Sequence, residues 1–225
     1  MKLLVFNGSP RKERSNTKTI LDYFLRGFIK NANNSFEIFY LTDEGKSDYY
    51  LEKIKEADLI LIGFPLYVTA MPGTVKSFLE KMPKNTVAGK KICFFIQSGF
   101  PESYQVDYLE KYFAKLAKRL NYGYLGMMFK GLGASVEIMP MLFSRSFLRK
   151  FYQSGSYLGH NGYLNEKLTI EMKKPQKLSS FSIAFYKLFI KLGIIDSFSF
   201  QQLKRNGISV KQSLHQPLLL PEDWL

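Results

Sequence analysis

Apolar residues along the first 130 positions gather into short runs, at Leu3–Phe6, Phe36–Leu41, Leu59–Gly63, Lys91–Ile96 and Tyr124–Phe129. The third and fourth runs show no polar alternation, the pattern of strands buried on both faces. Between the runs, apolar positions recur at helical spacing. Ile20, Leu21, Phe24, Leu25 and Phe28 share one face, and Tyr49–Ala57, Gly73–Met82 and Tyr104–Leu120 read as further helices. Strand and helix therefore alternate, which predicts a parallel sheet with right-handed crossovers and helices on both faces. Ligands of such sheets sit outside the carboxyl ends of the strands.

The first of those ends is the most informative. Leu3–Phe6 breaks into Asn7-Gly8-Ser9-Pro10-Arg11 and reaches Ser15-Asn16-Thr17 before the helical pattern starts. Gly8 and Pro10 stop the strand, and Ser15, Asn16 or Thr17 can cap the helix. Ser9, Arg11, Ser15, Asn16 and Thr17, with the N–H groups of a helix N-terminus, form a donor set suited to a dianionic phosphate. A plain connection in which Ser and Asn only cap is the alternative. A Gly-x-Gly-x-x-Gly fingerprint is missing at this turn, and Gly89-Lys90-Lys91 lacks the rest of a P-loop. A mononucleotide fits better than a dinucleotide or triphosphate.

Later strand ends carry their own signals. After the third run comes Gly63-Phe64-Pro65-Leu66-Tyr67, where Gly63 and Pro65 predict a turn; Pro72 and Lys76 follow. After the fourth comes Gln97-Ser98-Gly99-Phe100-Pro101-Glu102-Ser103-Tyr104, with Ser103 as the expected helix cap.

The chain has 225 residues and a formal charge of +13, but its 32 basic residues are dispersed and often adjoin acids, as in Glu52-Lys53-Ile54-Lys55-Glu56. That argues against a polybasic nucleic-acid or membrane-binding block and leaves a diffuse field that favours phosphorylated ligands. Cys93 is the single cysteine and sits in an apolar run; His160 and His215 lack metal-ligand spacing. These features exclude an internal disulfide framework, and no metal is expected. No apolar run is long enough to span a membrane, and Met1 leads directly into the first strand without a signal-like segment, so a reducing cytoplasm is the expected location.

Gly8-Ser9-Pro10-Arg11, then Ser15-Asn16-Thr17, and later Pro65-x-Tyr67 with Pro72 and Lys76, together resemble the NAD(P)H-dependent FMN reductases and related flavodoxin-like oxidoreductases. The resemblance implies a flavodoxin-like three-layer α/β sandwich whose five-stranded parallel sheet has the order 2-1-3-4-5. It implies FMN as cofactor and NAD(P)H as co-substrate, with the FMN phosphate held by Ser9, Arg11, Ser15, Asn16 and Thr17. Pro65, Leu66 and Tyr67 then contact the isoalloxazine, and Ser98, Gly99 and Phe100 line its pyrimidine edge. Glu102 and Tyr104 are less secure neighbours. A quinone, free flavin, nitro or azo compound, or iron chelate would take the electrons, and a homodimer is expected. No catalytic acid or base is assigned, because the cofactor carries the chemistry.

Residues 1–135 are expected to form the FMN-binding domain and 136–225 a helical extension packed on the core or on a dimer partner. Helical stretches there are Phe147–Gln153, Ser179–Leu192 and Phe198–Arg205, divided by Gly, Asn and Pro. The apolar Phe181–Leu192 could be buried, lie in a membrane interface or cover the flavin, and Trp224 suits docking. Two other function classes compete with the reductase. A flavodoxin-type electron carrier shares the fold, but carriers of that type are typically acidic and short. A nucleic-acid or membrane-associated protein that has lost its cofactor conflicts with the intact first loop.

Overall fold

Strands and helices follow one another in the expected order in the computed structural model of the chain. It describes residues 1–43, 45–67, 69–86, 89–99, 106–133 and 141–174, with Leu188 and Lys191; of 141–145 it describes the backbone. The elements are β1 (Lys2–Asn7), α1 (Asn16–Phe28), β2 (Ser35–Tyr40), α2 (Ser47–Ile54), β3 (Leu59–Pro65), α3 (Gly73–Lys81), β4 (Lys91–Gln97), α4 (Asp107–Arg119), β5 (Gly123–Lys130), α5 (Met141–Asn161) and α6 (Glu166–Lys173). The chain divides into two compact units, Met1–Gln176 and Lys177–Leu225. The expected helices Ser179–Leu192 and Phe198–Arg205, and Trp224, lie outside the described residues except for Leu188 and Lys191, which are helical.

All five strands are parallel, in the order β2-β1-β3-β4-β5. Val5 lies level with Ile38 on one side and Leu61 on the other. Every residue of β3 is buried, as its unbroken apolar run requires, whereas the edge strand β2 is only half-buried. Leu4, Phe6, Ile60, Ile62, Phe94 and Ile96 face α2, α3 and α4, where Phe94 stacks on Phe113 with ring centres 3.8 Å apart. The opposite face, Leu3, Val5, Leu61, Cys93, Phe95 and Met128, is covered by α1, α5 and α6. Each such buried side chain contributes about 1.5–3 kcal/mol. Cys93 is fully buried and serves packing.

Gly63 and Pro65 do not form the turn expected of them. Both continue β3, with Gly63 paired to Phe95 and Pro65 to Gln97. Proline is tolerated there because it closes the strand, where a missing N–H removes no interior rung of the ladder. Gly63 sits in a tight space, where a Cβ would lie 3.2 Å from Leu21 Cδ1 and 3.3 Å from Phe95 Cδ1. The turn falls later, where Tyr67 and Ala70 exchange two N–H to carbonyl bonds of 3.0 Å around Thr69, whose φ is +65°.

Helix α5 departs most from the sequence reading. The short Phe147–Gln153 helix is the middle of a 21-residue helix that runs through Gly155 and Gly159. These glycines do not interrupt it; they let it approach α1. A Cβ on Gly155 would lie 1.8 Å from the Phe24 carbonyl oxygen, and one on Gly159 would lie 2.5 Å from that of Phe28. From the other side, a Cβ on Gly27 would lie 2.0 Å from the Tyr152 carbonyl oxygen. Contacts advance together along both helices, so α1 and α5 run in the same direction, and α5 is the fifth helix of the doubly wound fold. The side-chain amides of Asn31 and Asn34 both donate to the Gly159 carbonyl, at 3.2 and 2.8 Å. The first part of the expected extension thus packs on the core, within the first compact unit.

At the end of β5, Lys130 is buried with its ammonium 4.4 Å over the Phe147 ring. The neighbouring Lys150 is engaged with Glu171 at 2.6 Å. Burial, aided by the Lys150 charge, pushes the Lys130 amine down to about 8.

Three tests follow from these observations. Gly155→Ala is expected to lower unfolding stability by about 1–3 kcal/mol through overpacking. Gly73→Ala, at a position with open space, is expected to raise it by about 0.4–1 kcal/mol, both read by chemical denaturation. The unfolded chain binds a proton at Lys130 between about pH 8 and the usual lysine value that the native chain does not, so its contribution to stability rises with pH across that window. Lys130→Met is therefore expected to stabilise the protein at pH 7 by about 1–3 kcal/mol, with the advantage shrinking toward pH 10.

Candidate functional site

At the carboxyl edge of the sheet, the loop after β1 is organised by a residue the apolar pattern does not single out. Asn7 ends β1 fully buried. Its Oδ1 accepts the Ser9 N–H at 2.9 Å, and its Nδ2 donates to Ser15 Oγ at 3.3 Å and to the Lys12 carbonyl at 3.5 Å. Ser15 is the N-cap of α1: its Oγ accepts the Lys18 N–H at 3.0 Å and donates to the Lys12 carbonyl at 2.6 Å. Lys12 has a φ of +46° and opens a short 3-10 turn, Lys12–Arg14. Gly8 donates its N–H to the Gly63 carbonyl at 2.8 Å and has no room for a side chain, since a Cβ would meet Val75 Cγ2 at 2.2 Å.

Outside this ring of bonds, Arg11 is exposed and Asn16 half-buried, while Ser9, Ser15 and Thr17 are buried. The Ser15 hydroxyl is committed to holding the loop. Thr17 Oγ1 accepts the Gln97 Nε2–H at 3.1 Å. The N–H groups of Asn16 and Thr17, in the first turn of α1, have no carbonyl within the helix to bond to. Lys12 pairs with Asp43 at 2.8 Å, which ties this loop to the one after β2 and holds the Asp43 carboxyl below the usual carboxylate range. The loop is thus a hydrogen-bonded turn that brings Arg11 and the N-terminus of α1 to the sheet edge, and the donor chemistry of these residues fits a phosphate.

The other strand ends meet the same edge. Leu66 donates its N–H to the Gln97 carbonyl at 2.7 Å, and Tyr67 beyond it is half exposed. Pro65 and Leu66 are buried. After β4, Ser98 donates its N–H to the Lys130 carbonyl at 2.9 Å and accepts the Gly133 N–H at 2.7 Å, so the loops after β4 and β5 are joined. Gly99 is exposed and its missing side chain leaves open space. Lys76 lies on the surface of α3, paired with Glu80. Phe100, Glu102, Ser103 and Tyr104 lie outside the described residues, and the described part of α4 starts at Asp107 behind an N-cap at Val106. The expected residues of loops one, two and three that are described therefore all occupy the carboxyl edge.

Asn7, Gln97 and Lys130 share one sequence signal. Each is the polar residue that closes an apolar run, and each is buried. Two grooves of about 360 and 380 Å³ flank α2, one against β2 and one against α3, and Asp43 in the loop after β2 lines both. Among the described residues there is no cluster of metal-ligating side chains, and no helix is long and apolar enough to cross a membrane.

Residues 1–109 match the family of NADPH-dependent FMN reductases. An iron-sulfur flavoprotein of Archaeoglobus fulgidus is 34% identical over 100 residues, covering 36% of this chain and 48% of that protein, so the chain spans about half the length of the curated relative it matches. Among solved structures, an apo NADH:FMN oxidoreductase superposes with a TM-score of 0.57 at 16% identity, covering 78% of this chain and 96% of the other. An FMN-dependent NADH-azoreductase of Bacillus anthracis in complex with FMN gives 0.52 at 15%, covering 71% and 100%. These likenesses establish the flavodoxin-like fold. Residues 1–109, which carry the first loop and β1 to β4, are thus similar to the NADPH-dependent FMN reductases, and the whole described core shares the fold of these solved structures.

Proposed function

We propose that the protein is an FMN-dependent NAD(P)H oxidoreductase that passes electrons to a small-molecule acceptor, a quinone, flavin, nitro or azo compound. The observation that carries this reading is the first loop, where Asn7 and Ser15 fix a turn that leaves Arg11 and the start of α1 at the carboxyl edge. The named neighbours, an NADH:FMN oxidoreductase and azoreductases, support the reaction class.

FMN, when bound, supplies hydride acceptance and return. The chain's part is binding, orientation and exclusion of water. Arg11 and the N–H groups of Asn16 and Thr17 would hold the phosphate, with Ser9 and Ser15 shaping the turn beneath it. Pro65, Leu66 and Tyr67 would form a wall for the isoalloxazine, and the backbone of Ser98 and Gly99 would address its pyrimidine edge. Phe100 belongs to the same proposed set. The Lys130 carbonyl holds Ser98 in place, so the loop after β4 is oriented by β5. A homodimer and a cytoplasmic location complete the reading. The iron-sulfur relative differs in one respect that bears on mechanism: the 225 residues contain a single cysteine, buried in β4, and cannot supply four thiolates to a cluster.

Purified protein mixed with FMN and freed of excess is expected to keep a flavin spectrum that bleaches on anaerobic addition of NADPH or NADH. Retained flavin that neither nucleotide bleaches would make the protein an electron carrier, and no retention at millimolar FMN would end the flavin reading. Arg11→Ala is expected to raise the FMN dissociation constant about 10- to 100-fold, as loss of a charged hydrogen bond does, with riboflavin binding unchanged.

A further inference from the structure

Gln97, the last residue of β4, joins three loops of the carboxyl edge. Its backbone carbonyl accepts the Leu66 N–H at 2.7 Å and so fixes the start of the loop after β3. Its side-chain Nε2 donates to Thr17 Oγ1 at 3.1 Å, linking residues 80 positions apart. Its Oε1 lies against Gly133 in the turn after β5, where a Cβ would sit 2.0 Å away. That oxygen is buried and has no hydrogen-bond partner among the described residues.

A buried amide oxygen without a partner is disfavoured, and an apolar side chain of the same length would fill the space without it. Retaining glutamine there needs an offsetting gain, and among the described residues the bond to Thr17 is the one its side chain makes. Rotating the amide by half a turn preserves that bond, with the hydroxyl then donating, and leaves the other amide atom against Gly133. Thr17 is fully buried and occupies the second position of α1. Fixing its side chain fixes the direction of its N–H and of the neighbouring Asn16 N–H.

We propose that Gln97 is a positioning residue for the phosphate-binding end of α1, acting through Thr17, with Gly133 required to admit its amide. The inference deepens the FMN reading and rests on it. Because Gln97 also carries Leu66 on its carbonyl, the same residue aligns the proposed phosphate site with the proposed isoalloxazine wall.

The test measures dissociation constants for FMN and for riboflavin, which lacks the phosphate, by quenching of flavin fluorescence. Gln97→Met and Thr17→Val are each expected to weaken FMN about fivefold, the scale of one lost hydrogen bond, and riboflavin less than twofold. The double variant is expected to match either single one and not to reach the product of about 25-fold, because both remove the same bond. Thr17→Ser keeps the oxygen and is expected to bind FMN within twofold of the native chain. FMN affinity unchanged in Gln97→Met, an equal loss of riboflavin, or a multiplicative double variant would overturn the inference while leaving the flavin reading intact. Should Gln97→Met fail to fold, the contrast between Thr17→Val and Thr17→Ser decides the matter in the same way. A native chain that binds neither flavin would remove the reading on which the inference stands.

Discussion

Glycines let α1 and α5 meet backbone to backbone, and the geometry of the site follows from that contact. Where Gly27, Gly155 and Gly159 meet the facing backbones, no methyl group separates the helices. Such proximity fixes the axis of α1 over the sheet, because a helix held backbone to backbone has little freedom to slide or roll. The same helix presents its N-terminus at the carboxyl edge, where its cap Ser15 is bonded to the loop and to Asn7. Packing at the lower end of α1 thereby determines where its first-turn N–H groups lie at the upper end.

The edge is built from polar residues that finish apolar strands. Asn7 turns the chain after β1, Gln97 ties the loop after β3 to the start of α1, and Lys130 holds Ser98 through its carbonyl. Burying an amide or an amine costs free energy unless it is partnered, so such residues persist where they organise backbone that water would otherwise loosen. Asn7 satisfies this fully. Gln97 leaves one oxygen unpaired among the described residues, and Lys130 has an aromatic ring over its ammonium. Gln97 and Lys130 lie side by side in register at the ends of β4 and β5. A rigid loop with preset donors suits a phosphate, since ordering occurs during folding and is not charged again to binding.

The sheet was legible in the sequence because burial on both faces leaves a strand nothing but apolar residues to choose from. The first loop was legible because a turn that exposes donors needs Gly8, small hydroxyl residues and a cap at Ser15, and each is a recognisable residue type. By contrast, Gly63 and Pro65 carry the ordinary marks of a turn and yet complete β3. Their meaning depends on Leu21, Phe95 and Gln97, which are distant in sequence. Gly155 and Gly159 read as breaks in a helical pattern for the same reason. A glycine that ends a helix and one that admits a neighbouring helix are identical along the chain, and only Phe24 and Phe28 distinguish them.

By itself, then, the sequence determined the alternation of strands and helices, the parallel buried sheet and the donor-rich loop after β1, since these depend on local periodicity and residue chemistry. Tertiary structure decided which helix covers which face, that α5 completes the core, and that Thr17 turns its hydroxyl toward Gln97. Those outcomes rest on contacts between segments far apart in the chain. A hydrogen bond across 80 residues leaves no periodic trace in the residues between its ends.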